Sequence, residues 1–442
     1  MPSSVNDLLA ALERGQQTTR DLRDTLQVSQ PTVWRLLDQA GDQVVRIGRG
    51  RATRYALARR AFGAGARIPL YAVAGNGVIS EIAILRPLGA DGGYYLQGED
   101  RPWWLLGETG TGVFDALPYF MEDARPQGFL GRHLAVHLAR SEDLLPDPRR
   151  WNDEQLGTYL VEHGDDLPGN LLFGRRAMHA YRSAAPQPVQ DRESDYPATM
   201  ARVLGGEPAG SSAGGEQPKF TALTEHGHVI VKFSPLRDTQ EGLRWADLLA
   251  AEYLAQQALA AQGIDCAKTE LLAIDNRYYL EVRRFDRVGE RGRQPSLSLA
   301  TVEAEFVGGG EDWVSVAQRL YDQRRLDSGS LKTIIWAAAF GQWIGNTDMH
   351  LYNISVAPSD HGFTMLPLYD MTPMLFAPQR GELIDRRLTV PIRTQANVGV
   401  WRDAGQTALG FWDAVAADPR VSDGFRVLAR RCSGLVRDAL GH

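Results

Sequence analysis

The chain has 442 residues, of which 43% are apolar and 23% charged as in soluble globular proteins, and this length predicts two or three domains. The chain has no run of about eighteen apolar residues, which excludes a membrane span. Its two cysteines, Cys266 and Cys432, are too few for a disulfide framework or a cysteine zinc site. A cytoplasmic protein with no membrane partner is therefore predicted. The net charge of −6 is uneven, because residues 1–60 carry +4 and the other 382 carry −10, so only the N-terminal end is expected to attract nucleic acid.

The first sixty residues predict three short helices and a β-hairpin. Serine and threonine N-caps are expected to begin the helices, at Ser3 or Ser4, at Thr18 or Thr19, and at Ser29. The third helix has Pro in its first turn and an apolar face of Val33, Trp34 and Leu37. Residues 44–47 and 54–57 predict the two strands of a hairpin with an arginine-rich tip.

This order of elements is typical of a winged helix-turn-helix, which we predict over residues 1–62. In a DNA complex, Gln30, Thr32 and Arg35 of the third helix would face a groove. Arg49 and Arg51 at the hairpin tip would reach phosphates or the minor groove. The alternatives are a winged helix used for protein contacts, and a small helical bundle with a solvated basic loop.

The next region, predicted as a separate domain over residues 68–195, begins after an Ala- and Gly-rich linker at 61–66. Short apolar runs from 68 to about 106 predict a small antiparallel sheet, and mixed helices follow. His133 and His137 have a zinc-ligand spacing, but the Glu of the zinc-protease motif is absent, which favours a solvated or core pair. Residues 183–197 predict a domain boundary or a mobile connection.

A Gly- and Ser-rich loop at 205–219 precedes two predicted strands, 220–223 and 229–233. The backbone N–H groups of such a loop can face the phosphates of a nucleotide, and Lys232 in the second strand would add a positive charge. A Gly-rich loop alone is weak evidence, and the P-loop motif is absent.

A helix predicted at 243–261 carries Glu252, which could pair with Lys232 or be an ordinary exposed glutamate. The hairpin predicted at 274–282 turns at Asp275-Asn276 and leads into residues 283–287. In a two-lobed kinase, this last segment would be the hinge that offers backbone groups to adenine.

The apolar run 331–344 predicts a buried helix that ends at Gly345. Asp348 and Asn353 then follow at the five-residue spacing of the protein-kinase catalytic loop, with His350 between them. A hairpin of strands at 353–356 and 363–368 would return Asp370 beside Asn353 and complete a metal site. The alternative is a polar turn whose Asn and Asp cap neighbouring elements.

In this order, the motifs resemble the HipA family of serine/threonine kinases, the toxins of bacterial toxin–antitoxin modules. The resemblance covers about residues 70–430. It is carried by SSAGGEQPK at 211–219, VKF at 231–233, EYL at 252–254, RFDR at 284–287, GNTDMH at 345–350 with Asn353, and YD at 369–370.

The resemblance implies an α+β fold in which the N-terminal winged helix-turn-helix is followed by a two-lobed HipA/protein-kinase-like domain, with an N-lobe at 196–290 and a C-lobe at 291–442. ATP and Mg²⁺ are the implied cofactors. Asp348 is implied to be the catalytic base, with His350 and Lys232 in the catalytic set, and Asn353 and Asp370 to hold the metal. The implied nucleotide contacts are Ser212, Ala213, Gly214, Gly215, Gln217, Lys219, Lys232, Arg284, Phe285, Asn353 and Asp370.

Family members phosphorylate aminoacyl-tRNA synthetases, so such an enzyme is the implied substrate. They can also autophosphorylate a serine at the start of the Gly-rich loop, where Ser211 and Ser212 stand here. The usual family toxin relies on a separate DNA-binding antitoxin. This chain instead carries its own predicted winged helix, as in the HipH or YjjJ type. The need for an antitoxin is therefore open. The alternatives are a transcription regulator with a nucleotide-sensing domain, and a DNA-damaging toxin.

Overall fold

The computed structural model describes residues 3–89, 92–205 and 217–441. The chain forms two compact units. Unit 1 comprises Met1–Arg125 and Leu138–Ala184, and unit 2 comprises Pro126–His137 and Ala185–His442. None of the helices in the described ranges is long and apolar enough to cross a membrane.

Unit 1 begins with three helices and a three-stranded antiparallel sheet of order β1-β3-β2. These elements are α1 (Val5–Leu12), β1 (Gln17–Thr18), α2 (Thr19–Leu26), α3 (Gln30–Ala40), β2 (Val44–Ile47) and β3 (Arg54–Leu57). Ser4 and Thr18 begin α1 and α2 with capping boxes, as the sequence predicts. The strands of the predicted hairpin are also confirmed, and Leu8, Leu22 and Val33 form part of the core beneath it.

The apolar face predicted for α3 is wrong at one position. Trp34 is 55% exposed, and Leu36 is buried instead. At about 3.6 residues per turn, positions 33, 36, 37 and 40 share one face of the helix and position 34 lies outside it. Trp34 therefore lies on the same exposed surface as Arg35.

The rest of unit 1 contains the predicted antiparallel sheet, with five strands in the order β7-β6-β5-β4-β8. The elements of this stretch of chain are β4 (Ile68–Val73), β5 (Ile79–Pro87), β6 (Tyr94–Gln97), β7 (Val113–Phe114), α4 (Tyr119–Glu122), α5 (Gly128–Leu138), α6 (Asp153–His163), β8 (Leu171–Phe173) and α7 (Gly174–Ser183). Most of α5 belongs to unit 2.

The segment predicted to be a linker, 61–66, is packed into unit 1. Phe62 is fully buried and stacks on Tyr94, with 5.8 Å between the ring centroids. Its N–H donates to the carboxylate of Glu154. A Cβ at Gly157 would lie 2.2 Å from the Phe62 ring, so Gly157 makes room for it. The prediction failed because composition shows the small residues of a segment but not the pocket that receives its one aromatic side chain.

Hairpin β2–β3 shares a core with the five-stranded sheet. The shared cluster contains Val45, Ile47, Ala56, Leu88 and Tyr95. Beside it, the guanidinium of Arg86 is almost fully buried and donates to the carbonyl oxygens of Ala66 (2.9 Å) and Asp42 (3.0 Å) and to Oε1 of Gln97 (3.1 Å). The two sheets of unit 1 are thus packed on a common core.

Unit 2 contains a four-stranded antiparallel sheet of order β11-β12-β10-β9. The elements from its start to the end of this sheet are α8 (Arg192–Leu204), β9 (Lys219–Thr224), β10 (Gly227–Phe233), α9 (Gln240–Ala261), β11 (Thr269–Ile274) and β12 (Arg277–Arg283). Side chains alternate along β10. Val229, Val231 and Phe233 pack in a cluster with Phe129 and Tyr196, whereas Lys232 points to α9.

Of the two alternatives predicted for residues 183–197, a domain boundary or a mobile connection, the border between the two units lies at Ala184. The mobile alternative is wrong from Arg192 on, where the first turns of α8 are packed on the sheet. Tyr196 is fully buried and its hydroxyl donates to the carboxylate of Glu281. Arg192 also contacts Glu281, with Nε 2.6 Å from Oε1. One buried carboxylate on β12 thus fastens α8 to the sheet.

The remainder of unit 2 is mainly helical. Its elements are β13 (Arg287–Val288), β14 (Gly292–Arg293), β15 (Leu297–Ser298), α10 (Leu299–Phe306), α11 (Trp313–Asp322), α12 (Ser328–Ile344), β16 (Ser355–Pro358), β17 (Phe363–Met365), α13 (Trp401–Ala417) and α14 (Asp423–Leu440). Helix α12 is the predicted buried helix, and it ends at Gly345 with a φ of 73°. Strand β16 begins two residues later than predicted because Leu351–Asn353 forms a 3₁₀ turn.

Candidate active site

A buried lysine joins two carboxylates where β10, α9 and the chain after β17 meet. Nζ of Lys232 lies 2.6 Å from Oε1 of Glu252 and 2.5 Å from Oδ1 of Asp370. Lys232 is 4% exposed and Glu252 is 0% exposed. The alternative of an exposed glutamate on α9 is therefore wrong.

The charges of this group shift one another's pKa values. Burial alone would lower the pKa of Lys232, but the charges of Asp370 and Glu252 outweigh it and raise the pKa above its usual 10.5. Burial raises the pKa of Glu252 despite the charge of Lys232. Burial would also raise the pKa of Asp370, but the charges of Lys232 and Lys219 outweigh it and lower the pKa. Lys232 and Asp370 thus carry opposite charges at neutral pH.

Lys219 belongs to the same group, because it lies directly opposite Lys232 in the β9–β10 register. Opposite residues of an antiparallel pair project to the same face of the sheet. The site therefore presents two ammonium groups to Asp370. Asp370 itself has a φ of 55°, in the left-handed region that a non-glycine residue adopts only when its surroundings impose it.

The loop after α12 carries Asp348 and is ordered by two asparagines. The N–H of Asp348 donates to Oδ1 of Asn346 (3.0 Å), and Nδ2 of Asn353 donates to the carbonyl oxygen of Asp348 (2.7 Å). Nδ2 of Asn346 also lies 3.4 Å from the carbonyl oxygen of Asp370. Asn346 thus links the Asp348 loop to the chain that holds Asp370.

The side chains of Asp348 and His350 stay accessible to a substrate. About half of each side chain is exposed, and Nε2 of His350 lies 3.7 Å from Oδ1 of Asp348. The carbonyl oxygen of His350 accepts a hydrogen bond from Nε1 of Trp313 (2.8 Å). The backbone of the loop is therefore fixed on both sides of an accessible carboxylate.

Sequence reasoning missed the roles of Thr372 and Asn346. Oγ1 of the buried Thr372 donates to Oε2 of Glu252 (2.9 Å), so it holds the oxygen that Lys232 does not contact. No local pattern marks Thr372, whereas Asn346 lies within the GNTDMH motif, two residues before Asp348. Both residues connect parts of the site that are distant in sequence.

The two predicted hinge residues differ in what they contact. The ring of Phe285 lies 5.5 Å from the ring of Tyr369, the residue before Asp370. Arg284 instead directs its guanidinium at Asp286, with two N–O distances of 3.0 Å. Phe285 is thus close to the site, and the charge of Arg284 is engaged by its neighbour.

Of the Gly-rich loop at 205–219, the structure describes Gly205 and residues 217–219. Ser211, Ser212, Ala213, Gly214 and Gly215 lie outside the described residues. Gln217 is partly buried, and the carbonyl oxygen of Pro218 accepts a hydrogen bond from the N–H of Phe233. The loop therefore leads into the sheet next to Lys219 and Lys232.

The predicted DNA contacts lie in unit 1, on α3 and the β2–β3 tip. Gln30, Arg35 and Arg49 are exposed, and Thr32 is partly buried with Oγ1 3.0 Å from Oγ of Ser29. Arg49 lies 3.9 Å from the exposed carboxylate of Glu99. The side chain of Arg51 lies outside the described residues.

The donor atoms of the site fit a magnesium ion bound together with phosphates. Asp370 offers a carboxylate, and Asn353 uses its amide nitrogen on Asp348 and so keeps its amide oxygen for a cation. Magnesium usually takes one or two protein carboxylates or similar oxygens and completes its shell with water and phosphate. Within residues 3–89, 92–205 and 217–441, no cluster of three or more His, Cys, Asp and Glu could hold a metal.

His133 of the predicted histidine pair is packed against the ring of Phe129, with 4.3 Å between the ring centroids.

Family models match two parts of the chain. Residues 64–182 match the YjjJ-like toxin middle domain, and residues 211–432 match the HipA-like C-terminal domain. The toxin YjjJ of Escherichia coli strain K12 is 36% identical over 446 residues, which cover 98% of each chain.

One solved structure shows the same fold for the larger part of the chain. The HipA toxin of Shewanella oneidensis MR-1, solved with HipB and its operator DNA, covers 84% of this chain and 96% of its own with a TM-score of 0.53 and 15% identity. The Helicobacter pylori proinflammatory kinase CtkA covers 50% of this chain and 90% of its own at 13% identity, with a TM-score of only 0.35.

Proposed function

Since this chain belongs to the HipA-like toxin family, in its YjjJ-like branch, we propose that it is an ATP- and Mg²⁺-dependent serine/threonine protein kinase with a DNA-binding N-terminal domain. The observation that carries the proposal is the Lys232–Glu252–Asp370 group, joined through Asn346 to the loop of Asp348 and Asn353. A site for phosphoryl transfer needs positioned charges more than covalent chemistry, and this group supplies them.

Each residue has a distinct role in the proposed reaction. Glu252, whose second oxygen accepts a hydrogen bond from Thr372, holds the ammonium of Lys232, which binds phosphate oxygens. Asn353 and Asp370 would hold magnesium, which neutralises phosphate charge when bound. The exposed carboxylate of Asp348 orients the acceptor hydroxyl and accepts its proton. Lys219 and the Gly-rich loop, with Ser212, Ala213, Gly214, Gly215 and Gln217, would cover the nucleotide, and Phe285 would lie beside the base.

Transfer of radiolabelled phosphate from ATP in cell extract tests the proposal. We expect a labelled protein with the wild-type chain and none with Asp348→Ala, and mass spectrometry of the labelled band identifies the substrate. Equal labelling by both proteins would overturn the assignment of Asp348. A nucleotide-sensing regulator would bind ATP without transfer, so ADP release is measured with and without DNA. A DNA-damaging toxin would nick plasmid in the presence of magnesium.

The family resemblance supports an aminoacyl-tRNA synthetase as the acceptor protein and autophosphorylation at Ser211 or Ser212 as self-regulation. Purified synthetases can be tried singly as acceptors. Loss of self-labelling in Ser211→Ala or Ser212→Ala identifies the modified serine. Whether a separate antitoxin restrains the toxin is tested by asking whether expression of the chain alone stops growth.

DNA binding is proposed from the exposed basic surface of unit 1. The three helices and the β2–β3 hairpin have the order of a winged helix, and Gln30, Arg35 and Arg49 are exposed on the expected elements. The Shewanella HipA was solved with operator DNA and HipB, which supports a DNA partner for this family. Selection of bound duplexes from a random pool identifies the recognised sequence.

A further inference from the structure

An exposed apolar and basic segment lies next to the catalytic loop and has no role in the proposed chemistry. We call residues 383–393 the docking segment. It contains no helix or strand, and four large apolar side chains within it are exposed: Leu383, Ile384, Val390 and Ile392, the last by 80%. Single exposed apolar residues are ordinary, whereas a group of this kind marks an interaction site.

Two anchors fix the docking segment beside Asp348. Leu388 is buried, and its Cδ1 would lie 3.2 Å from a Cβ on Gly345, the residue at which the Asp348 loop begins. The carbonyl oxygen of Pro391 accepts a hydrogen bond from Nε1 of Trp401 (2.9 Å), and the guanidinium of Arg393 lies 4.0 Å from the centre of the Trp401 ring. These anchors hold the segment in place while its other apolar side chains remain exposed.

The segment and the adjoining groove carry a net positive charge, because five arginines outnumber the carboxylates of Asp385 and Asp438. In the described part of the chain, no carboxylate forms an ion pair with any of five arginines: Arg386, Arg387, Arg393, Arg430 and Arg431. Other arginines of the region are paired, such as Arg420 with Asp418 (2.7 Å). Val390 lines one open groove with Arg430, Arg431 and Leu435 of α14, and Asp438 is the acidic residue in its lining.

The backbone of the segment can also pair with an extended chain. Among the described residues, none of the backbone groups of 383–390 takes part in a backbone hydrogen bond. Exposed backbone with free N–H and C=O groups can pair with an added peptide strand, while neighbouring side chains select its sequence.

We propose that the docking segment and the groove bind an extended segment of the acceptor protein that is rich in Asp, Glu and branched aliphatic residues. This inference rests on the proposed kinase activity and names the surface by which its protein substrate is recognised. The unpaired arginines favour acidic residues, the exposed Leu, Ile and Val favour aliphatic ones, and the anchor at Gly345 puts both next to Asp348. Duplex DNA would use the arginines but not the aliphatic side chains.

Peptide-array binding without ATP tests the surface separately from catalysis. The full-length chain is applied to a positional library of extended peptides with a central serine. We expect it to select Asp or Glu together with Leu, Ile or Val around the serine. Arg386→Glu with Arg387→Glu should shift the charge preference to Lys or Arg, and Val390→Ser with Ile392→Ser should weaken binding by about tenfold or more.

Matched controls lie in unit 1 and leave the docking segment intact. Arg60→Glu changes an exposed arginine and Val78→Ser an exposed valine, and neither should alter peptide selection. Thermal unfolding and sedimentation of every variant show whether it is folded and monodisperse. If the variant with Val390→Ser and Ile392→Ser does not fold, the charge-reversal variant tests the proposal. Its substitutions are on exposed or partly exposed side chains.

The proposal is overturned by an unchanged selection in the charge-reversal variant, or by a wild-type chain that binds none of the peptides. If replacing Val390 and Ile392 changes the mass measured by sedimentation, the docking segment binds a second copy of the chain and not a peptide of the acceptor protein. Loss of duplex binding alone on replacing the arginines would make nucleic acid the occupant. If the selected peptides bind but receive no phosphate, the docking surface stands and the kinase proposal fails.

Discussion

The ammonium group of Lys232 lies 2.6 Å from a carboxylate oxygen of Glu252, and both side chains are almost fully buried. Buried ion pairs contribute little net stability, but removal of one partner leaves an uncompensated buried charge. This asymmetry makes the pair a sensitive test of the site.

Lys232→Met should abolish phosphoryl transfer and lower the free energy of unfolding by about 3–5 kcal/mol near neutral pH. Glu252 already has a raised pKa because it is buried, and without the lysine its pKa should rise further. A carboxyl whose pKa is higher in the folded than in the unfolded state favours folding below the unfolded pKa and loses that contribution as pH rises through the folded pKa. The loss of stability should therefore be smaller at about pH 5 than at about pH 8. Urea unfolding at both pH values measures the loss of stability, and Lys268→Met, which replaces an exposed lysine, is the control.

In the wild type, the contribution of Lys232 to stability depends on pH in the opposite range. Because the pKa of Lys232 is raised above 10.5, its contribution is complete below that value and is lost only as pH rises through the raised pKa. A Lys232→Met defect that is equal at both pH values would contradict the expected further rise in the pKa of Glu252.

Asp348→Asn should reduce the rate of phosphoryl transfer by about 10²–10⁴-fold, because the amide cannot accept the proton of the acceptor hydroxyl. The side chain is about half exposed, so the melting temperature should stay that of the wild type. Single-turnover transfer from radiolabelled ATP and a thermal scan give the two values. Wild-type transfer in this variant would remove Asp348 from the mechanism.

Asn353→Ala should raise the magnesium concentration needed for half-maximal transfer by about tenfold or more, since it removes both a proposed metal ligand and a hydrogen bond to the Asp348 carbonyl oxygen. A magnesium titration at saturating ATP measures the change. Asn353→Ala with an unchanged magnesium requirement would assign the residue a purely structural role.

Thr372→Val should lower the free energy of unfolding by about 1–3 kcal/mol, because Oε2 of the buried Glu252 loses its hydrogen-bond donor. Thr372→Ser keeps the hydroxyl and should retain most of the stability. Urea unfolding of the three proteins compares them directly. Equal stability of the valine and serine variants would show that the hydroxyl is unimportant.

Arg35→Ala and Arg49→Ala should each weaken DNA binding and reduce the slope of log K against log salt by about 1 when the residue contacts a phosphate. Titration of the selected duplex at several salt concentrations measures the slope. Arg60→Ala serves as the exposed-arginine control. Slopes identical to the wild type in both variants would move the DNA site away from α3 and the hairpin tip.

The sequence predicted those elements whose signals are local. Capping boxes at Ser4 and Thr18 begin helices where expected, and Gly345 ends α12. The turn at Asp275-Asn276 is present, and both residues have the positive φ values of a tight hairpin. In each case, the determining hydrogen bonds or dihedral angles involve residues within a few positions of one another.

Prediction from the sequence failed where contact with a residue distant in the chain determines whether a side chain is buried. Phe62 is buried because of Gly157 and Tyr94, and Tyr196 because of Glu281 on β12. Thr372 has no marker of its own, since its role depends on Glu252, 120 residues earlier. For the same reason, the sequence alone does not decide between a paired and an exposed Glu252.

The packing of hairpin β2–β3 against the five-stranded sheet has a practical consequence for fragments of this protein. The family model begins at residue 64, yet Val45, Ile47 and Ala56 before it share a cluster with Leu88 and Tyr95 after it. A cut at that border would expose part of this apolar cluster on both fragments. The guanidinium of Arg86 would also lose the carbonyl oxygen of Asp42 as a hydrogen-bond acceptor. Recombinant pieces divided there should precipitate, whereas a piece ending near Ala184 keeps the cluster whole.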